Sequence, residues 1–372
     1  MAHAYTPGLR VTAHAVLRRE RRLPLKGRVM VERGQHVAPD TIVARTELPG
    51  NVQTVNLAAK LSIDPARVLD AIASPVGSGV RKGDAIASGK SLFGLIRNSV
   101  AAPADGTIES VSTVTGQLIL REAPIPVEIS AYVRGEVVEV LPDEGVVVQT
   151  RGAFVQGIFG VGGETFGPIE PVASGPDAVL DPGAIDARHR GKVVLAGAYL
   201  TYDAVVACRD AGVAAVVVGG FDDHDLRQLL GRDLGVAITG SEDLGLTLVL
   251  TEGFGRIRMA ERTWSLLVSR AGQVASVSGA TQIRAGVMRP EIIVPGDDSA
   301  PAADVEGALA LEPGSLLRVI RAPHFGRIGR AVALPTELHA LDSEASVRVV
   351  EVEFQDGERA VVPRANVERI AE

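Results

Sequence analysis

The chain has 372 residues, more than one ordinary core of about 100–200 residues would use, so two or three domains are expected. Hydrophobic residues make up 46% and aromatics only 3%, so the cores must be built from Val, Ala, Leu and Ile. A net charge of −7 excludes a globally basic nucleic-acid coat, and the single cysteine, Cys208, excludes a disulfide framework or a cysteine-ligated metal cluster.

From the N-terminus, Met1 to Arg10 is mixed and lacks a basic segment followed by an apolar run. Apolar stretches such as Val213–Val218 are far shorter than the ~20 residues a spanning helix needs. A cytoplasmic protein without membrane insertion is the expectation. Between Leu9 and Ile169 the chain reads as short β segments bounded by Gly, Pro or Asp: 28–31, 41–44, 107–111, 117–120, 136–140 and 146–150. The Arg18–Arg22 run reads as a charged strand edge that deters aggregation. Asp64-Pro65 opens a predicted helix over 64–72, with a capping residue before proline.

A repeat is visible here. Residues 102–121 and 133–150 share an order of Gly, strand, polar residue, strand, Gly, strand. A shorter theme runs from Gly27 to Gly34 into Ile42, and again from Ser78 to Asp84 into Ile86. The segments Val80-Arg-Lys-Gly-Asp-Ala-Ile-Ala87 and Val100-Ala-Ala-Pro-Ala-Asp-Gly-Thr-Ile108 resemble the biotinyl/lipoyl-type barrel-sandwich hybrid. That family includes carrier domains and unmodified relatives in membrane-fusion proteins and RnfC-like electron-transport subunits. The resemblance implies the fold of Leu23–Val155 and little about activity. Carriers modify a lysine at a hairpin tip, but Lys90 lies in Ser88-Gly-Lys-Ser-Leu-Phe93, away from the carrier context. It is expected to be unmodified, and no cofactor is expected.

Gly157–Gly167 is the glycine-richest stretch and lacks the Gly-Lys-Ser/Thr ending of a phosphate loop, so a hinge is expected. Residues 171–296 read as an α/β domain with a parallel sheet. Strands are predicted at 191–197, 213–218, 236–238, 246–250, 273–277, 281–284 and 291–294, and helices at 202–211, 223–230 and 258–269. Ligands of open parallel sheets bind beyond the carboxyl ends of strands. Gly219, Gly220, Thr251, Gly253 and Gly255 occupy such ends and form the candidate site for a small anionic ligand, as does Thr239-Gly-Ser241 more loosely. The plain alternative is that βα turns need glycine. No catalytic residue and no metal site is predicted: the seven histidines are scattered, Cys208 sits on an apolar helix face, and Asp222, Asp223 and Asp225 beside His224 suit a helix N-terminus.

Residues 297–311 read as a linker. Beyond it, Pro313-Gly-Ser-Leu-Leu-Arg-Val-Ile320, Gly326 and Gly329 resemble the KOW motif, and 347–354 with 358–367 resembles the later strands of a NusG-type SH3-like barrel over 312–372. The connection Pro335–Asp342 is longer than in the plain family. The fold expected for the whole is therefore multidomain: a barrel-sandwich β domain over 1–170, an α/β domain, and a small β-barrel. Arg318, Arg321, Arg327 and Arg330, with His324 and Phe325, form a candidate surface for RNA, a ribonucleoprotein or a protein partner. Acids elsewhere in the barrel (Glu351, Glu353, Asp356, Glu358) offer the alternative that these arginines merely balance charge. The function expected is a non-enzymatic binding or adaptor protein whose KOW-like barrel contacts RNA or a ribonucleoprotein. The alternative is a docking subunit of an enzyme assembly whose α/β domain binds a small anion.

Overall fold

The computed structural model describes residues 9–91, 96–231, 244–281, 289–296, 311–319, 323–324, 326–335, 338–340, 346–354 and 356–369. The molecule is mostly β-strand with few helices, and its largest sheet mixes parallel and antiparallel pairs.

In chain order the first strands are β1 (Val11–Arg22), β2 (Arg28–Val29), β3 (His36–Val37) and β4 (Ile42–Leu48). A block follows of β5 (Val52–Asn56), helices α1 (Leu57–Leu61) and α2 (Val68–Ala71), then β6 (Gly79–Val80), β7 (Ala85–Ser91), β8 (Ile96–Ala101), β9 (Gly106–Val111) and β10 (Gln117–Arg121). Then come β11 (Ile125–Ser130), β12 (Gly135–Leu141) and β13 (Gly145–Gln156). The predicted helix over 64–72 divides into a 3-10 turn at Pro65–Arg67, capped by Asp64, and the single turn of α2.

The repeat foreseen in the sequence is structural, and it is nested. In one unit β3 pairs with β12 at Gly135↔Val37, and Gly34 N–H donates to Val137 O. In the other, β6 pairs with β9 at Val80↔Gly106, and Gly77 N–H donates to Ile108 O. Gly34 and Gly77 have φ +85 and +92, a turn conformation that glycine alone adopts without cost. The match extends to the Val29↔Ala44 pair, mirrored by a bridge at Ile72↔Ala87. In the second unit β7 and β8 form a hairpin. In the first, the equivalent strands β4 and β11 pair from Ile42↔Ser130 to Leu48↔Ile125, and the whole second unit is inserted between them. The two units have separate cores. One is built around Val43, Val137 and Val148, the other around Ile86, Ile108 and Leu118.

The chain continues into β14 (Phe159–Val161), β15 (Glu164–Pro171), β16 (Val193–Leu195), β17 (Tyr199–Leu200), α3 (Tyr202–Ala211), β18 (Ala215–Phe221), α4 (Asp223–Leu230), β19 (Thr247–Phe254), α5 (Glu261–Val268), β20 (Val274–Ser278) and β21 (Glu291–Pro295). Strands β15, β16, β18 and β19 run parallel in adjacent positions. Alternation decides the layers. Val194, Val216, Val218, Leu248 and Leu250 face α3 and α4, while Val193, Leu195, Val217 and Val249 face Trp264 and Leu267 of α5. Helix α3 has the predicted bounds, with Thr201 Oγ1 accepting from Ala204 N–H and Gly212 left-handed after its end.

The large sheet does not stop at residue 170: β14 pairs with β19, β15 with β16, and β13 with β21, so one sheet runs from the first unit into the α/β layer. The glycine-rich 157–167 stretch is accordingly part of that sheet rather than a hinge. A Cβ on Gly160 would lie 2.8 Å from Gly279 O, so the glycines there permit close backbone packing.

The C-terminal unit comprises β22 (Leu316–Val319), β23 (Ile328–Ala333), the two-residue pair β24 (His339–Ala340) and β25 (Ser346–Val347), β26 (Val349–Phe354), β27 (Arg359–Pro363) and β28 (Val367–Arg369). Five of these form an antiparallel sheet in the order β27-β26-β23-β22-β28. Its core is Leu317, Val319, Val350, Val352, Val362 and Val367. The predicted strand at 236–238, the loop Thr239–Ser241, most of the linker, Arg321 and Phe325 lie outside the described residues.

Candidate functional site

The five residues proposed for a small anion do come together. Gly219 and Gly220 lie just before the end of β18, and Thr251 and Gly253 in the last residues of β19, with Gly255 just beyond. The chain itself fills the space between them. After β19 the segment 255–260 folds back over the end of β18. A Cβ on Gly219 would lie 2.2 Å from Ile257 O, and one on Gly220 2.1 Å from Gly255 O. Thr251 is buried, and its hydroxyl donates to Val218 O at 3.3 Å. A Cβ on Gly253 would lie 2.3 Å from Gly326 O of the C-terminal unit. The glycines serve the close approach of backbones, so the expected anion cleft is corrected to a packed junction. Gly255 alone faces open space.

The arginine set divides. Alternation along β22 sends Leu317 and Val319 inward, as the sequence implies, and Arg318 to the opposite face. That face is not solvent. Arg318 is only 1% exposed, because it lies against the end of β19. Its Nη2 donates to Glu252 Oε2 at 2.6 Å and its Nη1 to Glu368 Oε1 at 2.7 Å. Arg289 Nη1 donates to Glu368 Oε2 at 2.6 Å, and Glu252 Oε1 accepts from Ala260 N–H at the start of α5. Two guanidiniums and two carboxylates thus neutralise one another where the C-terminal unit meets the α/β sheet. Arg318 Nε is buried without a hydrogen-bond partner. Arg318 is therefore withdrawn from the predicted partner surface.

Arg327 is exposed in part, but it bridges Asp356 at 2.7 Å and Glu358 at 2.6 Å. Its guanidinium lies 3.8 Å from the centre of the Phe354 ring, and the His324 ring packs against the same ring in a tilted arrangement, centroids 5.2 Å apart. Charge balance within the unit, the alternative weighed from the sequence, holds for this residue. Arg330 is exposed and donates to Gly314 O at 3.1 Å.

The other singled-out residues have structural places. Asp222 caps α4 by accepting from His224 N–H, and Asp223 pairs with Arg227 one turn on. Cys208 is buried on α3, and burial pushes its thiol up to about 12. Lys90 lies in strand β7, paired in register with Arg97 rather than at the turn. Arg19 and Arg21 on β1 cross to the neighbouring strands: Arg19 pairs with Glu291, and Arg21 meets Glu164 at 2.7 Å. Among the described residues no group of three or more His, Cys, Asp or Glu side chains could hold a metal ion, and no helix is long and apolar enough to cross a membrane.

One groove of about 660 Å³ escaped the sequence reading. It lies in the first repeat unit where β13 passes from one neighbour to the next. Its partner is β12 up to Gln149 and β21 from Gly152 onward, which leaves Thr150 and Arg151 between them. His36, Arg134, Glu136, Gln149, Arg151 and Gly296 line the notch. These residues come from four separate segments, so no local motif announces them. Likewise Glu252, Arg289 and Glu368 were not foreseen. The available signal was a charge embedded in an apolar strand, as in Leu316-Leu-Arg-Val319.

The molecule is a β-rich chain with a nested β repeat, a large mixed sheet and a C-terminal β unit packed on the ends of β18 and β19. No protein-family model matches the chain, and neither a curated protein nor a solved structure does.

Proposed function

We propose that the chain is a non-enzymatic binding or adaptor protein that engages a protein partner, with its C-terminal unit held as a fixed cap on the α/β sheet. The observation that carries this reading is the junction of Glu252, Arg318, Glu368 and Arg289 over the strand ends. An enzyme built on an open parallel sheet keeps that region accessible to substrate. Here it is occupied by backbone and by a second domain. The SH3-like, KOW-type reading of the C-terminal unit is supported by its five antiparallel strands and the 3-10 turn Arg364–Asn366 before the last of them. The barrel-sandwich reading of the first region is supported by the two matching units.

RNA contact through the same barrel is the reading to test against. With Arg318 buried and Arg327 matched by two acids, the described part of the arginine set offers little uncompensated charge to a phosphate backbone. The test is binding of the full chain to mixed single-stranded RNA across a salt series, beside affinity capture from the native host. A stoichiometric protein partner and no RNA binding at low salt support the proposal. RNA binding that weakens steeply with salt and depends on Arg330 would replace it with the ribonucleoprotein reading.

A further inference from the structure

We propose that the neck joining the two nested units is a rigid strut. The carboxylate of Glu122 bridges its two strands, so the inserted unit stands as a fixed arm on the host unit and does not swing on a tether. The inference does not depend on the adaptor reading, since it concerns how two units of the chain are held and not what they bind.

The repeat shows where the neck lies. In the inserted unit, β7 and β8 form a hairpin that closes on itself. The equivalent strands of the host unit, β4 and β11, end at the pair Leu48↔Ile125, and the ladder of the inserted unit begins at Val52↔Arg121. Residues 49–51 and 122–124 are all that separate the two ladders. The two cores share no residue, so no common core sets the orientation of one unit against the other. A few connecting residues of this kind form a hinge unless something ties them.

The neck is tied across its strands. Glu122 N–H donates to Asn51 O at 2.9 Å, which carries backbone pairing into the neck. The half-buried Glu122 carboxylate then accepts twice from the opposite strand: Asn51 Nδ2 donates to Oε2 at 3.2 Å and Gln53 Nε2 to Oε1 at 2.9 Å. Bonds to a charged acceptor are about twice as strong as neutral ones. Arg121 Nη1 donates to Gly50 O at 3.2 Å, and its guanidinium is itself fixed by Glu109, Nε to Oε2 at 2.7 Å and Nη2 to Oε1 at 3.0 Å. Gly50 is not a flexible joint. A Cβ there would lie 2.0 Å from Glu122 O and 2.5 Å from Ala123 O, so the missing side chain lets the strands touch. Pro49 and Pro124 restrict φ on the two sides of the neck. Held in this way, the two units form one preorganised body, and a partner that spans both need not order them on binding.

The test is a distance between nitroxide labels on the full chain. One label is placed at Val114→Cys, exposed in the turn between β9 and β10, and the other at Glu139→Cys, exposed on β12 of the host unit. Cys208 is buried and takes no label. Pulsed electron paramagnetic resonance is expected to give one narrow distance peak. Glu122→Ala should replace that peak by a broad distribution while the circular dichroism spectrum stays unchanged. Asn51→Ala combined with Gln53→Ala removes the same two bonds from the donor side and should do likewise, which decides the matter if Glu122→Ala does not fold. Lys60→Ala, on α1 of the inserted unit and away from the neck, should leave the narrow peak in place. A broad distribution in the parent chain, or a narrow peak kept in the neck variants, would overturn the inference.

Discussion

Arg318 and Arg327 sit in the same small unit, each between two carboxylates, and burial makes them energetically different. Replacing Arg318 by Met leaves Glu252 and Glu368 buried without their shared cation, which costs about 3–5 kcal/mol. Arg327 is partly hydrated with exposed partners, and Arg327→Ala is expected to cost about 1 kcal/mol or less. Urea denaturation of the two variants checks the contrast, and equal losses would contradict it. Two acids that are buried in their neutral form set the alkaline limit of stability. Burial raises the Cys208 thiol to about 12, and burial first, then the Glu291 charge, holds the Tyr132 phenol well above its usual value. Both folded values lie above the unfolded ones, so the native state retains protons that the unfolded chain releases. Stability is therefore full below about pH 9 and falls as pH rises toward 12. Equilibrium unfolding between pH 8 and 11 should show this decline. Cys208 should also resist thiol reagents at pH 8 until the chain unfolds.

At the scale of elements, the ends of β18 and β19 are where the C-terminal unit is seated. Gly253→Ala would place a methyl group 2.3 Å from Gly326 O, so either the loop or the whole unit must shift. The expected cost is about 1–3 kcal/mol, on the scale of overpacking. Calorimetry should resolve it as earlier melting of the C-terminal unit, and an unchanged single transition would show that the junction tolerates displacement. Helices α3 and α4 were legible in the sequence to the residue, since each carries its own cap and stop: Thr201 with Gly212, and Asp222 with Gly231. The short helix α1 was not, because Leu57–Leu61 is a single turn whose apolar residues are equally consistent with a strand.

For the whole molecule, the inserted unit is an appendage of the first. Its core shares no residue with the core of the host unit, and its two connections leave from Leu48 and return at Ile125, which are paired neighbours. Replacing residues 49–124 by Asn-Gly should close β4 and β11 into an ordinary two-residue hairpin. The shortened protein is expected to fold cooperatively with its α/β helices intact, as read by circular dichroism and thermal melting. Loss of a cooperative transition would show that the two units depend on each other.

Much of the local order of this protein was legible in its residues: several of the short strands, where α3 and α4 begin and end, and that a β motif recurs. Those features are written in alternation, caps and glycine turns, which act over a few residues. Only the tertiary structure decided that one repeat lies inside the other, that a single sheet joins the first unit to the α/β layer, and that the proposed anion loops are filled. It also turned Arg318 from an expected surface charge into one member of a buried network of four charges, and assembled the groove around Arg134 and Arg151. The physical reason is the same in each case. A strand pattern says which side chains share a face, but what covers that face is set by residues far along the chain. Glu252 meets Arg318 and Pro295 meets Arg134 only after the sheets have paired.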